Sequence, residues 1–323
     1  MPALATVAAE RRAVRVPPDP STVRIAGPWT HRDVSANGIR LHAVEVGTGS
    51  LVLLLHGFPE FWWSWRHQLI ALADAGFRAV AVDLRGYGDS DKPPRGYDGW
   101  TLAGDVAGLI RALGERTASV VGHGWGGALA WTVAALHPRL VRSIAPLSAA
   151  HPLAVRRGLV RDPRHQGVAS LYALGFQLPL WPERRLRRDG GAYVEHLLRS
   201  WSSPQWTLAP EFAEVCQRNR TAMCIPGVAH CSMEYYRWAL RSQLRTEGRR
   251  FVAAVDRRAV VPVLQLHGAS DPCLLEATAR RSAAWAGPCY EYRVLPHVGH
   301  FVHQEAALAT TRLLVEFLHG ARR

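Results

Sequence analysis

The chain has 323 residues, 48% of them hydrophobic, and a net charge of +13 that is almost all arginine, Lys92 being the only lysine. Such a hydrophobic share can build a core and excludes a wholly disordered chain, and the length suits one large α/β domain with an inserted subdomain. No apolar run reaches the ~18 residues of a membrane-crossing helix, and "MPALATVAAERR" carries its charges after the apolar patch, the reverse of a secretory leader, so a cytoplasmic location is expected.

Residues 1–34, with the proline-rich "VPPDP" at 16–20, read as an N-terminal arm. From 35 onward, strand and helix signals alternate. "RLHAVEV" (40–46) alternates like a half-buried strand. "LVLLLHG" (51–57), "RAVAVDL" (78–84), "ASVVGHG" (118–124) and "RSIAPLS" (142–148) are short apolar runs that suit strands buried on both faces of a parallel sheet. "VPVLQLHG" (261–268) and "YEYRVLP" (290–296) continue the series. Helical spacing falls near 62–75, 101–114, 125–136, 274–286 and 303–319. The alternation predicts a mostly parallel, doubly wound α/β sheet, its core split into 35–150 and 259–323.

Residues 151–258 break the rhythm. They are rich in Leu, Arg, Trp and Tyr, have helical spacing and contain no buried-strand run. An insertion at the carboxyl edge of a parallel sheet lies over the crevice where such folds bind ligands, so the segment is expected to be a helical cap. It contains the arginine cluster Arg184, Arg185, Arg187 and Arg188. No nucleic-acid motif accompanies the basic residues, which read as a solvated surface, with peripheral membrane contact as the lesser alternative. The five cysteines (216, 224, 231, 273 and 289) are odd in number and irregular in spacing, so neither a disulfide framework nor a zinc site is expected.

The chemistry is concentrated in loops after the strands. "SVVGHGWGG" (119–127) reads as an elbow between a strand and a helix: Gly122 and Gly126 let the two approach closely, and the central residue, Gly124, is held in an unfavourable backbone conformation. "HGFPEFWWSWR" (56–66) also follows an apolar strand, and the peptide N–H groups of Phe58 and Trp125 are expected to form an oxyanion hole. "VDLRGYGDSDKP" (82–93) reads as a loop that packs the sheet edge. Asp271 in "LHGASDP" and His300 in "PHVGHFVH" come after the elbow, in the chain order of an α/β-hydrolase. His297, His300 and His303 have a metal-like spacing, but they run from loop into helix, and no metal site is expected.

The set resembles the epoxide hydrolase-like group of α/β-hydrolases. "HGFPEFWWSWRHQL" is similar to that group's HGxP motif, "RGYGDSDKP" to its next turn, "GHGWGG" to its G-H-D-W-G-G elbow, and "SDPCLL" and "VGHFVHQE" to its acid and histidine motifs. The resemblance covers roughly residues 35–150 and 259–320. It implies His300 as base, Asp271 as its partner, and Tyr236 of "EYYRW" as one of two lid tyrosines that hold the substrate oxygen. The second is expected near 176–183, where Pro179 stands instead, with Tyr172 and Tyr235 as nearby candidates. It also implies an aspartate nucleophile at position 124, where this chain has glycine.

Three outcomes remain open. His300 activates a water standing beside Gly124, giving a hydrolase of a small apolar epoxide or ester with water as sole co-substrate and no cofactor. Alternatively, the chain is a catalytically inactive binder of a hydrophobic ligand, its pocket walled by residues such as Trp62, Trp63, Trp125, Trp181, Tyr236 and His123, although plain core packing is expected for most of the aromatics. The third outcome is a substitute nucleophile, Ser148 or Cys231, neither of which is expected on a strained turn.

Overall fold

In a computed structural model of the chain, which describes residues 16–321, the apolar runs form the middle of an eight-stranded sheet. Its strands are β1 (Thr30–Ala36), β2 (Ile39–Val46), β3 (Ser50–Leu55), β4 (Phe77–Val82), β5 (Ala118–His123), β6 (Val141–Leu147), β7 (Val263–Gly268) and β8 (Tyr290–Leu295). Across the sheet they run β1-β2-β4-β3-β5-β6-β7-β8. β2 pairs antiparallel with both β1 and β4, and every later pairing is parallel. β5 and β7 are buried at every position and β3 at all but its first residue. Helices cover both faces of such strands, which is why they read as continuous apolar runs. Helix α1 (Arg66–Asp74) packs with the C-terminal helix Ala307–Gly320, and α2 (Gly99–Ala112) packs with α3 (Trp125–Leu136).

The winding direction reverses between β3 and β5. From β3 the chain moves outward to β4 and later returns to β5 on the other side of β3. Loops leaving β3 and β5 therefore diverge and leave a crevice at their carboxyl ends, the place where open α/β sheets bind ligands. Leu55 and Gly122 are register partners, so the loop that begins at His56 and the elbow at Gly124 start side by side.

The N-terminal arm differs from expectation. Residues 1–15 of it lie outside the described residues, but the rest is part of the body. β1 pairs along its whole length with β2, and Val23 is buried, its carbonyl accepting the indole N–H of Trp62 at 2.7 Å. β1 escapes pattern reading because "THRDVSA" buries only Val34 and Ala36: an edge strand with one solvated face needs few apolar residues.

Between β6 and β7 the described chain forms a series of helices from Pro152 to Val255 with no strand, the segment read above as a cap. Arg237 fastens it internally. This buried guanidinium pairs with Glu183 at 2.7 Å and donates to the Leu178 carbonyl at 2.8 Å, tying the helix Val228–Arg241 to the preceding turns. No described helix is long and apolar enough to cross a membrane.

Candidate active site

The chain turns from β5 into α3 through one residue, Gly124, at φ 51° and ψ −114°. An L-residue rarely adopts such a conformation. The surrounding turn excludes side chains, since a Cβ on Gly122 would overlap the Gly126 carbonyl and one on Gly126 the Leu55 carbonyl. Gly124 differs: a Cβ there would meet only His300 Nε2 at 3.5 Å and Gly57 Cα at 3.6 Å, both ordinary contacts. The side-chain direction of Gly124 is thus open and faces an imidazole.

Parallel pairing of β7 with β8 brings that imidazole to its carboxylate, because the loop after β7 carries Asp271 and the loop after β8 carries His300. His300 Nδ1 lies 2.8 Å from Asp271 Oδ2. Asp271 Oδ1 accepts the N–H groups of Cys273 at 2.8 Å and Leu274 at 3.0 Å, which orient the carboxylate. With Nδ1 engaged, Nε2 is the nitrogen turned toward Gly124. Burial opposes charge on the His300 ring, but the Asp271 carboxylate outweighs it and raises the pKa above the ordinary 6.5. Burial likewise pushes the Asp271 carboxyl up, and the facing imidazole outweighs that and holds it below 3.8.

Phe58 and Trp125 carry the peptide N–H groups read from the sequence as a candidate pair of donors. Among the described residues neither of their N–H groups meets a protein acceptor. Trp125 is the first residue of α3, where the N–H groups of a helix are unsatisfied and the dipole favours negative charge. Both residues line a cavity of about 170 Å³ together with Gly124 and His300. The cap closes the cavity with Tyr172, Trp201 and Tyr236. Burial raises the pKa of both phenols, so Tyr172 and Tyr236 keep their protons as hydrogen-bond donors.

Other expected wall residues point elsewhere. Trp62 is fully buried against Trp29 and His31, because the turn Trp62–Trp65 runs away from the crevice. Trp63 is buried under the Arg66 guanidinium, 4.2 Å from its ring centroid, and Trp181 is exposed. His123 is fully buried, with Nδ1 2.6 Å from Glu60 Oε2 and Nε2 3.0 Å from the His300 carbonyl, so both ring nitrogens are engaged inside the protein. It acts as a brace behind His300 and lies outside the cavity lining. Of the tyrosine candidates, Tyr235 donates to the Arg85 carbonyl at 2.8 Å and is out of reach, whereas Tyr172 stands 6.0 Å from Tyr236 ring to ring. Pro179 is exposed and contributes nothing to the wall.

Ser148 departs from its expectation. It follows β6 at φ 43°, a strained non-glycine conformation, and lines the cavity with a buried Oγ that has no partner among the described residues. Cys231 is buried in the cap, away from the cavity lining. Sequence reasoning missed Cys273, a cavity residue whose thiol burial and the nearby Asp271 keep protonated.

It missed a polar network as well. Glu60, His123, His303 and Gln304 are buried together, with Gln304 Nε2 donating to Glu60 Oε1 at 2.6 Å. Burial opposes the charge on Glu60, and the two imidazoles outweigh it and hold the carboxyl well below its ordinary value. Burial lowers the pKa of His303 to about 4. The sequence signal was the polar residues embedded in "HGFPE", "GHG" and "FVHQE", which need buried partners. The histidines of "HVGHFVH" do diverge: His300 faces Asp271, His303 faces Glu60 and His297 is exposed. Among the described residues, three ligand-type atoms come within 4.8 Å of one another in two places, Glu60–His123–His303 and Asp271–Cys273–His300. These are the groups that could hold a metal ion, and within each a histidine nitrogen already faces a carboxylate oxygen at 2.6 Å and 2.8 Å respectively.

A parallel sheet, a strained elbow after β5, an aspartate after β7 and a histidine after β8 define a hydrolase fold, and the chain belongs to the alpha/beta hydrolase fold family, whose model matches residues 50–307. Within that family it is epoxide hydrolase-like. Epoxide hydrolase A of Mycobacterium tuberculosis is 31% identical over 317 residues, covering 91% of this chain and 98% of that one. An AB hydrolase superfamily protein of Bacillus subtilis, YfhM, is 32% identical over 290 residues, 88% of this chain and 96% of its own. A solved epoxide hydrolase from an endophytic Streptomyces superposes with a TM-score of 0.78 at 30% identity, covering 92% of this chain and 97% of that one.

Proposed function

We propose that the protein is a hydrolase that adds water directly to a small epoxide or ester, without a covalent enzyme intermediate. One observation carries this reading: His300 Nε2 faces the open side of Gly124, where the group's other members are expected to carry an aspartate. In this reading a water beside Gly124 gives its proton to Nε2 and attacks the substrate. Asp271 holds the tautomer that leaves Nε2 free and stabilises the imidazolium that forms. With an epoxide, the Tyr236 phenol donates to the ring oxygen as the C–O bond breaks. With an ester, the carbonyl oxygen lies against the Phe58 and Trp125 N–H groups.

Magnitudes make this an enzyme of modest rate. General-base catalysis supplies about 10²–10⁴-fold, and each oxyanion donor about 10²–10³-fold. The cavity of about 170 Å³ also limits the substrate. A cavity of about 150 Å³ holds one benzene molecule, so a single-ring or short-chain substrate fits.

The test is turnover by wild type and His300→Ala on a panel of small epoxides, esters and lactones. Hydrolysis that disappears in the variant supports the proposal. Equal hydrolysis in both contradicts it. No hydrolysis in either, with saturable binding of a small aromatic ligand, identifies a binding protein instead.

A further inference from the structure

The open side of Gly124 is faced by hydrogen-bond donors as well as unfilled. The N-terminus of α3, a 12-residue helix, points into it, with the Trp125 N–H free to donate. The Phe58 N–H, equally free, comes from the neighbouring loop. His300 Nε2 faces the same space, on a ring whose pKa Asp271 raises. Ser148 flanks it: His123 and Leu147 are register partners, and the Gly124 N–H donates to the Leu147 carbonyl at 3.1 Å, so the next residue on each strand stands beside the other. The Ser148 Oγ is buried and has no protein partner although it lines the cavity. Donors thus gather around one small space, and the Asp271 carboxylate behind His300 is already committed to Nδ1 and two peptide N–H groups. A polar hydrogen left unpaired in a buried site is destabilising, so a fitting acceptor gains by entering.

We propose that this slot binds a small carboxylate, formate or acetate, and that the bound anion serves as a diffusible nucleophile. Chemistry selects the class. A carboxylate offers one oxygen to the N–H donors and keeps the other for attack, and its single charge and small size suit a cavity walled by Phe58, Trp125 and Tyr236. The proposal rests on the reading of this site as hydrolytic. In the first step a carboxylate oxygen bonds to an epoxide carbon, the ring C–O bond breaks, and the released alkoxide takes the Tyr236 phenol proton, later restored from water. The product is a hydroxyalkyl ester of the acid. In the second step water loses a proton to His300 and adds to the ester carbonyl, whose oxygen is held by Phe58 and Trp125. Collapse expels the diol oxygen, which takes the proton from His300, and the released acid gives its own proton to the hydroxide left when the Tyr236 phenol was restored, so the carboxylate is regenerated. The sum is epoxide plus water giving diol.

The experiment uses the full chain in carboxylate-free buffer, sodium formate as probe, and sodium chloride at equal ionic strength as control. Expected are saturable broadening of the ¹³C-formate resonance by the protein and at least a tenfold rise in epoxide consumption. In His300→Ala the second step fails, so hydroxyalkyl formate accumulates and is seen by mass spectrometry. Gly124→Asp, which fills the slot, abolishes the broadening, and Gly124→Ala serves the same purpose should the aspartate variant not fold. Broadening without a rate gain overturns the nucleophile role, and no broadening overturns the site. His300-dependent hydrolysis that ignores formate sinks this inference and leaves the water reaction standing. Ester formation with formate, but no turnover without it, sinks the water reaction and leaves this inference standing.

Discussion

Gly124→Asp is the substitution that asks most of the site. It forces an L-residue to φ 51° and ψ −114°, and so sparsely populated a conformation costs about 1–3 kcal/mol. The new Cβ adds little to that, since its closest neighbours are at 3.5 and 3.6 Å. At about 2–4 °C per kcal/mol for a large domain, the melting temperature should fall by about 2–12 °C. Gly126→Ala is the contrasting control: its Cβ would overlap the Leu55 carbonyl, so it should fail to fold or lose far more stability. Activity should move the other way. Loss of a nucleophile costs about 10⁶-fold in a serine protease, and a water-based route recovers about 10²–10⁴-fold. Restoring a carboxylate should therefore raise epoxide opening by about 10²–10⁴-fold. Intact-mass spectrometry of Gly124→Asp combined with His300→Ala should show an adduct heavier than the protein by one substrate molecule, because the ester forms and cannot be hydrolysed. A folded variant with neither adduct nor rate gain would refute the reasoning, since the open direction at Gly124 would then not face the substrate.

The pH profile tests the dyad. His300 acts as a base only when neutral, and its pKa is raised, so kcat/KM should climb with pH and level off above 6.5. Asp271→Asn removes the carboxylate that raises it, so the rising limb should move to lower pH while the plateau falls. Linkage gives the matching stability signature: a raised folded-state pKa stabilises fully below the unfolded value of 6.5 and loses that contribution as pH rises through the folded value, which denaturant titrations at several pH values will detect. Tyr236→Phe removes the donor proposed for the epoxide oxygen, and a hydrogen bond to developing charge is worth about 1.5–3 kcal/mol, so epoxide turnover should fall by roughly 10–10²-fold. Ester hydrolysis, which relies on the Phe58 and Trp125 N–H groups, should change much less, and comparing the two substrates in one variant checks this.

The site was legible where chemistry is written in local pattern. Apolar runs marked seven of the eight strands, and residues just past β3, β5, β7 and β8 in a parallel sheet must gather at one edge. Gly122, Gly124, Asp271 and His300 were identifiable for that reason. What stayed hidden depends on where side chains point after a turn. Trp62 and Trp63 sit next to the oxyanion loop in sequence, yet the turn that carries them faces the N-terminal segment and the Arg66 side chain. His123 adjoins Gly124 but points to the opposite side of the strand end, into the Glu60 network. Tyr172 and Cys273 reach the cavity through cap and loop packing that no spacing rule encodes. The strain at Ser148 is a backbone property of the turn after β6, and a serine there does not announce it.

The central claim is that water itself attacks the substrate. A single turnover of a small epoxide, with enzyme in excess, in carboxylate-free buffer made with oxygen-18 water, tests it most directly. Attack by water puts one labelled oxygen in the diol of the first turnover and no label in the protein. Diol whose first-turnover oxygen is unlabelled would show that a protein side chain supplied it, and would contradict the account.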